Sequence, residues 1–386
     1  MRFKVAKRDL EAAIQVVGAS IAGSGSDISA HFTFRRIGPD SQDKYGIESL
    51  TYSGRTFASC PLAPVAFEDV GGKKAAFTIE GWRLKQWLKF IPADSVPDFT
   101  LADGEVTARV KRGAQTFQSL DPSTFPYWDK VLKEAEVKAT LPANRLKEAL
   151  AYSRQFIHDD EANEPDKCVC EATNSILYSS DKKAVTLIKV KGMEESGLRV
   201  HGKDVAGCLT FLGTVGDGDV EILEHDRMTL LRRCVDGAVF GESKFHFKFP
   251  VPKLRIEDKP QHTWDIVCED LRQVLGFLVA GAAPEDNRLR LAPGETPGEV
   301  ILSMANTSGK TTSLTISGVT MASEPSAPEI PEEGFQVDHV VLSKILHAWQ
   351  SDTIKFGILF SGGRGLVRFV QDHLDSTYLT VIGHLT

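Results

Sequence analysis

Apolar and polar residues alternate briefly along this chain, then give way to a polar turn and to apolar residues four apart, and the whole sentence recurs. Phe77 to Phe90, FTIEGWRLKQWLKF, shows it: Phe77 and Ile79 alternate as on a strand, and Leu84 and Leu88 share one helical face. With these four as positions 1, 3, 8 and 12 of a frame, the frame also fits Phe3, Val5, Leu10, Ile14 and Ala139, Leu141, Leu146, Leu150. It fits again at Leu198, Val200, Val205, Leu209, at Trp264, Ile266, Leu271, Leu275 and at Phe335, Val337, Leu342, Leu346. Four apolar matches arise by chance in a chain that is 42% hydrophobic; the weight lies in the even spacing of the starts at 3, 77, 139, 198, 264 and 335, which covers the whole length.

Each unit therefore predicts a strand, a turn and a helix, with Asp9, Asn144, Asp204, Asp270 and Asp338 near the helix starts. Between the helices, segments such as FTLADGEVTARVKRGAQTFQ, DVEILEHDRMTLL and KFGILFSGGRGLVRFV alternate around turn residues and predict about three further strands per unit. Phe125-Pro126 and Phe249-Pro250 close the second and fourth units inside aromatic, Pro-bearing linkers, which groups the units in pairs. The expectation is an α+β chain of three similar domains, each of two strand-helix-strands units: 1–129, 130–256 and 257–386. SEPSAPEIPEEG, Ser323 to Gly334, predicts an exposed connector inside the third.

Composition narrows the function. A net charge of -7 excludes a uniformly basic nucleic-acid glove, so any such binding needs a local patch. The predicted helices are that patch: beyond their first turns they carry Lys85, Lys89, Lys147, Arg154, Arg272 and Lys344 against Glu11 and Glu148, and Lys85, Lys147 and Arg272 occupy the same frame position. The cysteines Cys60, Cys168, Cys170, Cys208, Cys234 and Cys268 lack CxxC spacing and read as reduced thiols in the core. No apolar run is long enough for a membrane helix, and the charged start MRFKVAKRDLE does not read as an export signal, so a cytoplasmic protein without membrane partners is expected.

The doubled units, the start MRFKVAKRDLEAAI, the segment LPANRLKEALAYSRQFI and the Phe-Pro domain ends resemble the bacterial DNA polymerase III beta subunit family, the sliding clamps. The resemblance spans the chain. It implies the DNA clamp fold, assembled head to tail as a homodimeric ring around non-specifically held duplex DNA. It also implies a processivity factor with no enzymatic activity and no cofactor, whose partners are a DNA polymerase, an ATP-dependent clamp loader and other clamp-motif proteins. DNA would face Arg8, Arg83, Lys85, Lys89, Arg145, Lys147, Arg154, Lys203, Arg272 and Lys344 on the inner helices. Subunit closure would use edge strands near Val106 to Arg112 and around Glu299 to Ser303, with Val106, Arg109, Lys111, Leu278, Val279, Val300 and Leu302 at the interface. A partner-peptide cleft would comprise Ile157, Ser180, Lys182, Lys183, Val185, Pro250, Leu254, Arg255, Val381, Ile382 and Leu385. Two departures stand out: the family's Gly-His-Arg-Leu is Lys182-Lys183-Ala184-Val185 here, and the tail VIGHLT lacks the Met-Pro-Met-Arg-Leu ending. They point to a phage-borne or otherwise atypical member, and leave as an alternative a clamp-fold regulator or decoy of a replisome that does not encircle DNA.

Other motifs carry less. TSGKTT at Thr307 to Thr312 lacks the first glycine of a P-loop and precedes strand-like alternation, so ATP binding is not expected. HDDEANEPD, His158 to Asp166, lacks the spacing of a calcium loop and reads as a solvated loop. Cys168 and Cys170 would share a strand face without a metal, and SGGRG, Ser361 to Gly365, reads as a hairpin turn. No His, Asp and Ser or Cys set is grouped for catalysis.

Overall fold

The computed structural model describes residues 1–21, 27–37, 47–68, 76–244, 249–250, 259–332, 334–349, 351–361 and 364–383. All six frames become strand followed by helix. Arg2–Lys4 leads into α1 (Lys7–Val17) and Ala76–Glu80 into α2 (Gly81–Phe90). After a short helix outside the frame, α3 (Asp129–Glu134), Glu136–Pro142 leads into α4 (Ala143–Arg154) and Arg199–His201 into α5 (Val205–Gly213). His262–Val267 then leads into α6 (Cys268–Gly281), and Phe335–Asp338 into α7 (His339–Ala348). Every apolar frame position is buried except Leu209, which is half-buried beside the buried Cys208. The expected caps are fewer: Asp338 accepts from the amides of Val340 and Val341, whereas Asp204 starts α5 without a capping hydrogen bond. Asp9 and Asp270 lie in first turns, where a carboxylate suits the helix dipole. The Asn144 side-chain oxygen accepts from the Arg145 amide.

By contact density the chain divides into two compact bodies, residues 1–148 with 192–246, and residues 149–191 with 247–386. The first holds two antiparallel sheets. One orders Ala66–Glu68, Arg2–Lys4, Asp98–Ala102, Glu105–Val110 and Gly113–Gln118. The other orders Glu136–Pro142, Asp219–His225, Met228–Arg233, Val239–Ser243, Thr56–Leu62, Ile47–Tyr52, His31–Arg36 and Ala76–Glu80. Pairing explains why units come in twos: Arg2–Lys4 bonds to Asp98–Ala102 of the second unit, and Ala76–Glu80 bonds to His31–Arg36 of the first. Each unit lends its opening strand to the other, so neither completes a sheet alone. The position-1 rings Phe3 and Phe77 consequently stack, with centroids 5.7 Å apart, in a cluster with Phe34 and Phe99. All four rings are fully buried, and burial of this kind contributes the bulk of the stabilisation.

The aromatic linker is a packed element rather than a free connector. Phe125 is buried, Trp128 stacks on Phe57 at 4.2 Å, and Val131, Leu132 and Ala135 pack with Leu223, Met228, Leu230 and Val239. That cluster covers the seam where Val239–Glu242 pairs with Thr56–Ser59. The sheet thus runs through the expected boundary at 129.

The second body repeats the device. Its longer sheet runs Val169–Thr173, Ile176–Ser180, Ala184–Val190, Ser376–Gly383, Arg364–His373, Thr353–Ser361, His262–Val267 and Thr320–Ser323. Its shorter sheet orders Thr311–Ile316, Val300–Ala305, Arg288–Pro293 and Phe335–Asp338. Opening strands are exchanged again, His262–Val267 onto Thr353–Ser361 and Phe335–Asp338 onto Arg288–Pro293, and Trp264 meets Phe335 at 5.2 Å. The Pro-rich connector is mostly exposed over residues 323–332, tied at Pro328, whose carbonyl lies 2.7 Å from His262 Nε2, and Gly334 at its end is buried. Gly362 and Gly363 of the expected hairpin lie outside the described residues; Ser361 and Arg364 on either side are cross-strand partners.

Candidate nucleic-acid and partner interfaces

The predicted basic residues fall into two groups. Arg8, Arg83, Lys85, Lys89, Arg154, Lys203 and Arg272 are exposed, whereas Arg145, Lys147 and Lys344 are half-buried. The cations that share one frame position share a structural role. Arg272 Nη2 donates to the Leu346 carbonyl in the last turn of α7, at 2.9 Å. Lys85 Nζ lies 3.6 Å from where a β-carbon would stand at Gly18, the C-cap of α1, and Lys147 Nζ 4.0 Å from the same point at Gly213, the last residue of α5. Each therefore reaches the negative end of the partner helix of its pair. Lys85 also stands 5.5 Å from the Phe32 ring centre, and loss of water there lowers its ammonium pKa. Lys344 is committed differently, to Asp181 Oδ2 at 2.7 Å. Arg8 and Arg83 pair locally with Asp9 and Glu80. Lys89 and Arg154 are exposed and make the strongest candidates for loose phosphate contact.

The strands expected to be sheet edges each lie one strand in from the end of their sheet. Glu105–Val110 is bonded on both sides, and so is Val300–Ala305. Val106, Val300 and Leu302 are buried in this chain's own core because strand alternation turns those side chains inward, and Leu278 is buried on the apolar face of α6 with Leu271 and Leu275; Arg109, Lys111 and Val279 are exposed. The neighbouring strands Gly113–Gln118 and Thr311–Ile316 each stand at one end of their sheet order, the first mostly exposed and the second exposed at alternate residues.

The cleft residues are partly assembled. Val185 stands opposite Ser180 on one side and Val381 on the other, Ile157 and Val185 are half-buried, and Pro250 is exposed. Ile382 is only 1% exposed and is a core residue, not a lining one, because its strand is buried on both faces from Tyr378 to Ile382; Val381 and Ser180 are buried as well. Leu254, Arg255 and Leu385 lie outside the described residues. The turn carrying the sequence departure is fastened to α7 by reciprocal ion pairs, Lys183 to Asp338 at 2.6 Å and Lys344 to Asp181 at 2.7 Å. Lys182, at the first of the departing positions, adopts the left-handed backbone, φ 76°, and pairs with Glu164 at 2.7 Å. The Lys167 and Lys182 ammonium groups hold the Glu164 carboxyl down to about 2. The acidic run is thus spent on local partners, Asp160 accepting from Asn163 as well, and among the described residues no three His, Cys, Asp or Glu side chains gather as a metal would need.

Sequence reasoning missed the exposed Cys234 among otherwise buried cysteines, and it missed a buried carboxyl. Glu242, 2% exposed, accepts from the His201 amide at 2.7 Å, and burial raises its pKa well above the usual range. The thiol of Cys60 is pushed up to about 12 by burial, which keeps it unreactive. TSGKTT forms a hairpin turn, with Asn306 Oδ1 accepting from the amides of Ser308 and Lys310 and Gly309 at φ 75°.

Taken as a whole, the architecture is the sliding-clamp fold. The DNA polymerase III beta subunit of Pseudomonas aeruginosa superimposes with a TM-score of 0.79 over 100% of both chains at 13% identity. The beta subunit from Thermotoga maritima aligns at 0.77 over 100% of this chain and 99% of its own with 14% identity, and a putative beta subunit from Eubacterium rectale at 0.78 over 100% of both with 10%. No family profile and no curated protein matches the chain in sequence. Among the described residues no helix is long and apolar enough to cross a membrane.

Proposed function

We propose that this chain is a DNA polymerase processivity clamp: two copies close into a ring around duplex DNA and tether a polymerase and other clamp-motif proteins, binding rather than catalysing. The observation that carries the reading is the likeness to bacterial beta subunits over the entire length of both chains. In this reading the exchanged pairs form three domains, 1–129, 130–256 and 257–386. The sheet-end strands Gly113–Gln118 and Thr311–Ile316 belong to the first and third, where head-to-tail pairing would remove both edges. Lys89 and Arg154 would hold phosphates without sequence preference, so that topology, not affinity, keeps the ring on DNA.

The test is retention after treatment with an ATP-dependent clamp loader. A ring stays on circular DNA and runs off linear DNA with free ends; equal loss from both refutes encirclement and leaves the non-encircling regulator. Light scattering should give a dimer at micromolar concentration. For the peptide cleft, Val185→Asp is the suitable variant, because Ile382→Asp would bury a charge in the core. A clamp-motif peptide bound equally by Val185→Asp and the parent would remove the cleft.

A further inference from the structure

Helix α2 exposes a stripe that its packing does not explain. Leu84 and Leu88 are buried, while Trp82, Lys85, Gln86 and Lys89, spaced i, i+3, i+4 and i+7, share the outer face. Trp82 is 52% exposed, and Phe90 beside Lys89 is 84% exposed. The stripe forms one wall of an open groove of about 560 Å3, Glu11, Ile14 and Gln15 of α1 form the other, and Thr210 of α5 also lines it.

Charge in this groove is net positive, two lysines against one glutamate. Glu11 is paired with Lys7 at 3.4 Å, while Lys85 and Lys89 have no carboxylate partner among the described residues. The indole is held in advance: Glu80 accepts from Trp82 Nε1 and pairs with Arg83 at 2.7 Å, and the Arg83 guanidinium lies 5.4 Å from the ring centre. An anchored aromatic surface costs little ordering entropy when something stacks on it.

Two cations without a carboxylate partner, a turn apart beside a fixed indole, suit single-stranded nucleic acid, in which phosphates need cations and unpaired bases need a stacking surface. A duplex would use the lysines and leave Trp82 idle, because its bases already stack on one another. A protein partner's apolar face would use Trp82 and Phe90 but would desolvate two unpaired ammonium groups. We propose that the groove between α1 and α2 binds unpaired nucleotides, Trp82 stacking on a base while Lys85 and Lys89 hold the flanking phosphates. The proposal stands on these two helices and does not require the ring.

The test is fluorescence anisotropy of the full chain with a labelled oligo(dT) of about 20 nucleotides, an abasic oligomer of the same length and a duplex. Oligo(dT) should bind more tightly than the abasic strand. Trp82→Ala should weaken oligo(dT) binding by roughly 5- to 100-fold, with Trp82→Phe recovering most of the loss. Lys85→Gln with Lys89→Gln should lower the slope of log affinity against log salt by about 1.4. Circular dichroism of the exposed-site variants checks the fold. Equal binding of the abasic strand, indifference to Trp82→Ala, or no oligo(dT) binding at all overturns the proposal, the last leaving the stripe to a protein partner. A chain retained on DNA circles yet indifferent to Trp82 loses this inference alone; one that binds oligo(dT) through Trp82 yet runs off circles loses the clamp reading alone.

Discussion

Asp338 performs two tasks that can be separated by experiment. Its Oδ1 caps α7, accepting from Val340 at 2.9 Å and Val341 at 3.2 Å, and its Oδ2 accepts from Lys183 Nζ at 2.6 Å. The carboxylate is buried, 4% exposed for the residue, while the lysine side chain is 50% exposed. Asp338→Ala removes both. A lost N-cap costs typically ~1 and up to about 2 kcal/mol, and an ion pair with one half-exposed partner adds at most ~1, so the expected loss is about 2 to 3 kcal/mol. In a body of this size that corresponds to a fall in melting temperature of roughly 5 to 10 °C. Asp338→Asn keeps the cap and loses the charge, so it should cost about 1 kcal/mol or less, a penalty that shrinks in ~1 M salt while the Ala–Asn difference persists. Lys183→Ala in the Asn background should then add almost nothing. Urea and thermal melts of the four proteins measure this. If Asn costs as much as Ala, the cap is not what Asp338 supplies; if Ala costs under ~0.5 kcal/mol, the fastening of the cleft turn to α7 has no energetic weight.

Three further outcomes follow from local geometry. The raised pKa of Glu242 means the folded state holds its proton more tightly than the unfolded chain, so its contribution is present at low pH and lost as pH rises through the folded value. Glu242→Gln should flatten that loss in urea melts across a pH series that starts below the ordinary carboxyl range, and parallel curves for the two proteins would refute it. Gly334, at φ 72°, has no room for a side chain, since a β-carbon would lie 1.9 Å from the Leu291 carbonyl oxygen; Gly334→Ala should cost several kcal/mol or prevent folding, whereas Gly309→Ala, at φ 75° in open space, should cost only ~1 by thermal melt. Lys182→Gly should be more stable than Lys182→Ala by roughly 1 kcal/mol, because both lose the Glu164 pair and only glycine relieves the left-handed backbone; equal melting temperatures would mean that the turn is unstrained.

The repeat was legible because it is written in the core: frame positions such as Phe3, Phe77, Trp264 and Phe335 must be apolar wherever they fall, and they meet one another across each pair. Burial constrains residue type, so the six strand-helix openings and their spacing survive in a single sequence. Edges carry no such constraint. Glu105–Val110 and Gly113–Gln118 both alternate, and nothing in either states which of them ends the sheet; that is decided by pairing between segments far apart in the chain, which is why the expected edge fell one strand short. The helix cations mark a third case. Lys85, Lys147 and Arg272 were detectable as a repeated position, but charge alone does not distinguish a phosphate contact from a cation placed at the end of a neighbouring helix. Trp82 was visible only as a polar-face residue within an apolar frame, and its exposure became a chemical statement once α1 was placed beside it. Positions fixed by burial can be read from one chain, whereas positions whose meaning lies in what they face require the neighbour, and most of the binding chemistry of this fold belongs to the second kind.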